Sequence, residues 1–301
     1  MQATVRTESR MPWYDQGGRF SSLKLVVFLC LLAPAAWLLL QIPLGLLQPR
    51  PVTLAIHEMG LWAIRLLLIT LFVSPCRRIF LWPRVFILRR MLGLAVLAYA
   101  LGHFALFFVD KAFDLGVVAD ELVLRYYLTI GLLALLFLVA LGVTSTNAML
   151  RRMGPRRWRR LHALIYPILL LALVHFFMQS KLDVTQPTLL AGFAIWLMLY
   201  RLLDRRFGRQ QPLGPAWLAV LAVLASLLTA LGEALYYRLA VGAPMALVLR
   251  ANLNFGPAGW RPAVLVALCG AVIVVVAVVR RLLVAPPGRP VGGGLPRRRA
   301  A

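Results

Sequence analysis

Two of the four histidines in this 301-residue chain, His103 and His175, lie inside long apolar segments. His103 follows Arg90 by thirteen residues, and His175 follows Arg160 by fifteen. At a helical rise of about 1.5 Å per residue, the two imidazoles lie ~20 Å and ~22 Å from the basic ends of their segments. An ionisable residue inside a bilayer costs about 2.5–3.5 kcal/mol on insertion scales, and such residues therefore indicate a function.

Two neutral imidazoles at equal depth on neighbouring helices fit the two axial positions of a haem iron. Histidine at both axial positions leaves no open coordination site, which favours electron transfer over oxygen chemistry. The alternative is that the histidines bond to the backbone or to each other and hold helices together. Aromatic side chains that could pack against a macrocycle flank both histidines: Phe104, Phe107, Phe108, Phe176 and Phe177.

His162 lies near the basic end of the same segment as His175 and has two interpretations. It is either solvated at the membrane surface or a ligand of a second haem, whose other ligand would fall at Arg90. His162 and His175 are about 140° apart around an ideal helix, so they face one partner only if the helix is distorted, which Pro167 can cause. We keep His162 as a candidate haem ligand and Arg90 as a candidate cofactor-binding residue.

Two further ionisable residues belong to the second apolar segment. His57 precedes the segment and is interpreted as a solvated surface residue. Arg65 lies about two turns inside it, where its side chain either extends back to the interface or pairs with a haem carboxylate.

The segments that carry these residues are predicted to be membrane helices. The chain is 61% hydrophobic and 14% charged, whereas soluble domains are about 45–50% apolar and about 25% charged. A membrane helix needs about 17–25 mostly apolar residues. We therefore predict an all-α, polytopic membrane helix bundle, in which the second and sixth apolar spans are short and rely on flanking residues to cross the membrane. The eight spans are Leu25–Ile42, Met59–Val73, Met91–Val109, Tyr126–Val143, Leu161–Met178, Leu189–Leu203, Ala216–Leu235 and Ala263–Val279.

The excess of basic residues, a formal net charge of +23, predicts orientation rather than a nucleic-acid partner. Of the 33 Lys and Arg residues, 25 fall on one set of alternate connections, 7 on the other set and one, Arg65, within a span. Basic residues are retained on the cytoplasmic side, which places both termini there. Six of the ten acids face outward, which we attribute to depletion from the basic side rather than to an acidic docking surface.

Other redox chemistry has little support in the sequence. The three cysteines are not closely spaced, as iron–sulfur, zinc and covalently attached haem sites require. No glycine-rich phosphate loop follows a strand, so the chain has no nicotinamide domain. A ferric or superoxide-type reductase that acts alone would need such a domain.

Several motifs resemble the MsrQ family, formerly YedZ, within the ferric-reductase-like transmembrane superfamily. They are Arg89–Gly93 with Tyr99 and His103, Thr144–Met149, Arg152, Gly154, Trp158, Leu161–His162, Tyr166 and His175–Phe176. The resemblance covers about residues 57–203. It implies a six-helix b-type cytochrome whose histidines fall on His103, His162 and His175.

The family's partners follow from the same resemblance. They are a periplasmic MsrP-type molybdopterin reductase, which repairs oxidised methionine, and a donor, either the quinone pool or a cytosolic flavin reductase. FMN is also associated with the family, but no motif in this sequence locates it. The rival function is a transporter or membrane scaffold with structural histidines, although the inverted repeats and intramembrane acids of a transporter are not evident.

The predicted organisation has four parts. Residues 1–22 and 283–301 are expected to be disordered, and 23–208 to form the transmembrane haem domain. Residues 209–282 form an extension with two further membrane helices, beyond the six of the family. Its acid Glu233 is interpreted as an interfacial residue rather than a proton carrier.

Overall fold

The computed structural model describes residues 11–14, 18–181, 183–208, 211–253 and 260–283, and these residues confirm the all-α prediction. A 3₁₀ helix, Pro83–Leu88, leads into α3. The α-helices are α1 (Ser22–Gln41), α2 (Pro51–Ile79), α3 (Arg89–Asp110), α4 (Leu115–Leu124), α5 (Tyr126–Val143), α6 (Asn147–Met153), α7 (Pro155–His162), α8 (Ile165–Gln179), α9 (Thr185–Phe207), α10 (Pro215–Val241), α11 (Met245–Ala251) and α12 (Pro262–Leu283).

Eight segments are long and apolar enough to cross a membrane, which confirms the predicted number and a multi-pass membrane protein. They are α1, α2, α3 with its 3₁₀ turn, α5, α7 with α8, α9, α10 and α12. The second and sixth spans are extended by flanking residues, as predicted, so that α2 has 29 residues and α9 has 23. Polar residues beyond the apolar runs, such as Thr53 in α2 and Arg205 in α9, continue both helices.

The fifth span is interrupted between α7 and α8, at Ala163 and Leu164. Pro167 is the third residue of α8 and has no N–H to donate to the carbonyl of Ala163, four residues earlier. The span is therefore distorted beside the proline that the sequence analysis gave as a possible cause, and the break separates His162, the last residue of α7, from His175 on α8.

The bundle core is built around two closely packed helix pairs, α2 with α3 and α5 with α8, with α9 against α2. The first helix is attached through Tyr99 of α3. Its hydroxyl donates to the carbonyl of Leu31 at 2.7 Å and accepts from the N–H of Ala35 at 3.1 Å. Tyr99 is therefore inserted into the hydrogen-bond ladder of α1, beside Pro34.

The two C-terminal membrane helices, α10 and α12, pack on α9 and on each other. Gly192 of α9 lies against Thr229 of α10 and Val266 of α12, so the absence of a side chain allows a close three-helix contact. Glu233 of α10 is not interfacial, because its side chain is fully buried. It pairs with Arg261 at 2.8 Å and accepts a 3.1 Å hydrogen bond from Asn252.

The two ends of the bundle differ in charge. We call the end where α2 finishes and α3 begins the basic end. There, Arg78 pairs with Asp204 of α9 at 2.7 Å, and Arg201 donates to the carbonyl of Leu71 at 2.7 Å.

Most of the two segments predicted to be disordered lies outside the described residues, namely residues 1–10, 15–17 and 284–301.

Candidate functional site

His103 of α3 and His175 of α8 are neighbours inside the bundle, as their equal predicted depth requires. Their ring centroids are 6.2 Å apart, and the ring planes are nearly perpendicular, at 83°. Two imidazoles that hold one metal ion between them at about 2.0–2.1 Å have centroids about 6–6.5 Å apart. The observed spacing fits a single shared iron.

Each imidazole makes one hydrogen bond to the backbone of a neighbouring helix. The Nδ1 atom of His103 is 2.8 Å from the carbonyl oxygen of Ile56 in α2, and that of His175 is 2.6 Å from the carbonyl oxygen of Tyr127 in α5. A carbonyl can only accept, so Nδ1 of each ring carries the proton. Each Nε2 therefore has a free lone pair, as a metal ligand needs.

A glycine packs against each ring, one helical turn beyond the accepting carbonyl. A Cβ atom at Gly60 would lie 2.9 Å from Nδ1 of His103, and one at Gly131 would lie 2.9 Å from Nδ1 of His175. Real Cβ atoms essentially never come so close. Neither glycine was predicted from the sequence, where the only signal was that each occurs within a long apolar segment.

The two rings line a cavity of about 440 Å³ between α2, α3, α5 and α8. This volume lies within the range of about 300–1,000 Å³ for ligand pockets. Its inner wall is apolar and includes Leu67, Val96 and Leu138. Its mouth is polar and opens at the end opposite the basic end, which we call the cavity end. An amphipathic ligand matches this gradient.

The mouth carries an ion-pair network between the end of α3 and α4. Lys111 lies 3.2 Å from Asp110 and 3.9 Å from Glu121. Arg125 lies 2.5 Å from Glu121, and its pKa is raised by hydrogen bonding to the hydroxyl of Tyr127. These acids therefore engage both cations on this side of the mouth.

Three of the five flanking phenylalanines, Phe104, Phe107 and Phe176, line the cavity. Phe108 instead packs edge-on against Phe104 at 5.0 Å, and Phe177 contacts Tyr236 of α10. The aromatic residues thus divide between the cavity wall and the surrounding helix contacts.

His57 and Arg65 lie at different places relative to the cavity. His57 is on the mouth, where its Nε2 lies 3.3 Å from the side-chain amide nitrogen of Gln179. Arg65 does not line the cavity. Its guanidinium lies over the ring of Trp62 and donates to Gln186 of α9 at 3.4 Å.

The structure does not bring His162 and Arg90 to the cavity. His162 stacks on Trp158 at 3.8 Å, and its Nε2 lies 3.2 Å from the hydroxyl of Thr144. Arg90 donates to the side chain of Asn147 at 2.7 Å. The remaining histidines lie at or near the cavity end, so none is available to face His162 across a second haem.

The metal-ligating side chains of the cavity also indicate which kind of cofactor fits there. Among the described residues, no cluster of three or more His, Cys, Asp or Glu side chains could hold a metal ion. Two imidazoles alone are sufficient only for a metal that brings its other ligands with it. A porphyrin supplies four in-plane nitrogens, and the residues present therefore fit a haem.

Comparison with known proteins also indicates a haem-binding protein. The family model for the ferric reductase like transmembrane component matches residues 59–173. The haem-binding subunit MsrQ of a protein-methionine-sulfoxide reductase from Rhodospirillum rubrum is 35% identical, over 62% of this chain and 92% of the relative. The MsrQ of Caulobacter vibrioides is 36% identical over 60% and 87%, and that of Xanthomonas campestris pv. campestris B100 40% identical over 62% and 88%.

No solved structure matches the chain. The relatives are covered over most of their length, and the two histidines that share the cavity lie at or beside the region of the ferric reductase model. The chain is therefore a member of the MsrQ family, the haem-binding membrane subunits of methionine sulfoxide reductases.

Proposed function

We propose that this protein is a b-type cytochrome subunit that carries electrons across the bacterial inner membrane on one haem, held by His103 and His175. The basic end faces the cytoplasm and receives electrons from the quinone pool or from a cytosolic flavin reductase. The cavity end faces the periplasm and delivers them to a docked MsrP-type molybdopterin reductase, which repairs oxidised methionine residues.

The observation that carries the proposal is the spacing of the two rings. At 6.2 Å between centroids, with both Nδ1 protons engaged by carbonyls, the two Nε2 lone pairs are available for one iron. A haem bound there supplies one-electron transfer. His103 and His175 would both hold the iron, and the apolar side chains of the cavity would surround the group, an arrangement suited to electron transfer.

The inner half of the membrane needs a second carrier between the donor and the haem. The stacked pair of Trp158 and His162 lies on α7 at the basic end, and six arginines fall within residues 151–160 of α6 and α7. The Thr144 hydroxyl donates to the carbonyl of Ala140 at 2.7 Å, so it accepts from Nε2–H of His162 and leaves Nδ1 of that ring free. We propose that quinol or FMN binds at this pair.

Visible spectra test the haem assignment. The purified protein is expected to show a sharp b-type band on reduction with dithionite and about one haem per chain in a pyridine haemochrome assay. His103→Ala and His175→Ala should each lose most of the haem, because one axial ligand is removed. The near-perpendicular ring planes further predict a strongly anisotropic, low-spin ferric electron paramagnetic resonance signal.

Matched controls for these variants are Leu101→Ala on α3 and Val174→Ala on α8, neighbours of the histidines with exposed side chains. Both should keep the wild-type haem content. A colourless wild-type preparation from haem-replete cells would contradict the proposal and favour the scaffold function, in which the same backbone hydrogen bonds hold the helices together.

The His162→Ala variant separates donor-side chemistry from haem ligation. We expect unchanged haem content and unchanged reduction by dithionite, because His162 does not line the cavity. Reduction by a quinol analogue or by a flavin reductase should be about 100-fold slower, at the lower end of the range of about 10²–10⁴ for loss of a proton-accepting group. Loss of haem in this variant would instead make His162 a ligand.

A further inference from the structure

The wall of the cavity formed by α2 changes character along the helix. Its lining residues recur at helical spacing and so form one stripe along the helix. The stripe is cationic and polar at the cavity end, has a glycine at the level of His103 and is apolar further in. In order from the mouth inward, the stripe is Arg50, Thr53, Ile56 with His57, Gly60 with Leu61, Ala63 with Ile64, and Leu67.

Arg50 differs from the other cations at the mouth. Lys111 and Arg125 are engaged by Asp110 and Glu121. The side chain of Arg50, at the start of α2, has no hydrogen-bond or ion-pair partner among the described residues. It is thus a guanidinium held at the rim of an apolar cavity with its five N–H donors available.

We propose that Arg50, together with the hydroxyl of Thr53 one turn further in, binds the carboxylate groups of the porphyrin. This inference rests on the proposed function, because it concerns how the same cavity orients its haem. Arg50 lies six residues before Ile56, whose carbonyl fixes His103, which corresponds to about 9 Å along the helix. The long, flexible side chain of Arg50 can extend along the helix and cover part of this distance to a substituent of the porphyrin ring.

The charges at the mouth favour one orientation of the macrocycle. Its carboxylates cannot enter the apolar inner wall without a large desolvation cost, so they face the mouth. On the side of α3 and α4, the cations Lys111 and Arg125 are already engaged by Asp110 and Glu121. On the side of α2, Arg50 presents a planar fork that matches a carboxylate in a bidentate contact.

The test compares haem release from the purified holoprotein with release from its variants. The probe is transfer of haem to excess apomyoglobin, followed by absorbance. Arg50→Gln is expected to lose haem about tenfold faster than wild type, the size expected for one charge-assisted hydrogen bond. Arg50→Lys should be intermediate, because lysine keeps the charge without the fork. Arg250→Gln, an exposed arginine of α11 outside the cavity, should match wild type.

A second measurement separates carboxylate binding from a general effect on the fold. Wild type and Arg50→Gln are reconstituted with iron protoporphyrin dimethyl ester, which lacks free carboxylates. The inference requires the difference between the two proteins to disappear with the ester. The inference is overturned if wild type and Arg50→Gln still differ in release of the ester, or if they release natural haem at the same rate. Either result leaves the proposed function intact. Failure of wild type to bind any haem would overturn both.

Discussion

Replacing Gly131 by alanine is expected to lower the affinity for haem by about 10–100-fold, the usual cost of disturbing a group that orients a metal ligand. The added Cβ would lie 2.9 Å from Nδ1 and 3.0 Å from Cε1 of His175. The ring must move, and its hydrogen bond to Tyr127 then lengthens or breaks. Gly60→Ala should act in the same way on His103, and the double variant should purify almost free of haem.

The change is informative because alanine favours a helix. Gly→Ala in a helix interior stabilises that helix by about 1 kcal/mol, so lost haem in the variants cannot be ascribed to a weakened helix. Gly93→Ala on α3 is the matched control, since a Cβ there meets no atom within 4 Å. Haem content per chain and the rate of haem transfer to apomyoglobin measure the effect. Equal haem binding by Gly131→Ala and Gly93→Ala would contradict the packing of the rings against α2 and α5.

Depth along each membrane helix was predictable from the sequence because helical rise is regular and local. Counting from Arg90 and Arg160 placed His103 and His175 at one level, and their rings are adjacent. The distortion of the fifth span was also predictable, since it follows from the missing N–H of Pro167. These features depend on residues close together in the chain.

The partners of the histidines were not predictable in this way. The groups that hold the two rings are the backbone carbonyls of Ile56 and Tyr127, and a carbonyl is present at every residue. Only the arrangement of the helices selects these two. The glycines that admit the rings share this difficulty, because a glycine in a single apolar segment gives no indication of which neighbour packs against it.

When nearly every residue of a helix is apolar, helical periodicity does not show which face of the helix points toward the cavity and which toward other neighbours. Arg65 was left between the membrane interface and a haem carboxylate, and its hydrogen bond to Gln186, the second residue of α9, supports the interface. Arg50 was counted only as a basic residue of a connection. Its place at the rim of the cavity follows from the packing of α2 against α3, α5 and α8, which no local pattern in the sequence specifies.

The extension contributes a buried charge pair, and the two halves of that pair are expected to differ in their effect on stability. Arg261→Met leaves the carboxylate of Glu233, whose side chain is fully buried, with only the amide of Asn252 as a polar partner. Removing one partner of a buried pair costs about 3–5 kcal/mol. We expect the lower part of that range, because the side chain of Arg261 is 30% exposed and part of the attraction is screened.

Glu233→Leu should cost less than Arg261→Met, since the freed arginine can extend toward water while the freed carboxylate cannot. The double variant Glu233→Leu/Arg261→Met should recover much of the loss, because an apolar pair leaves no buried charge. Hydrogen exchange in α10 and α12 and the apparent midpoint of thermal unfolding measure this order, with Arg238→Met, an exposed arginine near the end of α10, as the control. An equal loss of stability in Glu233→Leu and Arg261→Met would contradict an effect of the difference in burial. Because none of these residues lines the cavity, the haem spectrum should stay the same in every variant, and a changed spectrum would show that the extension supports the haem site.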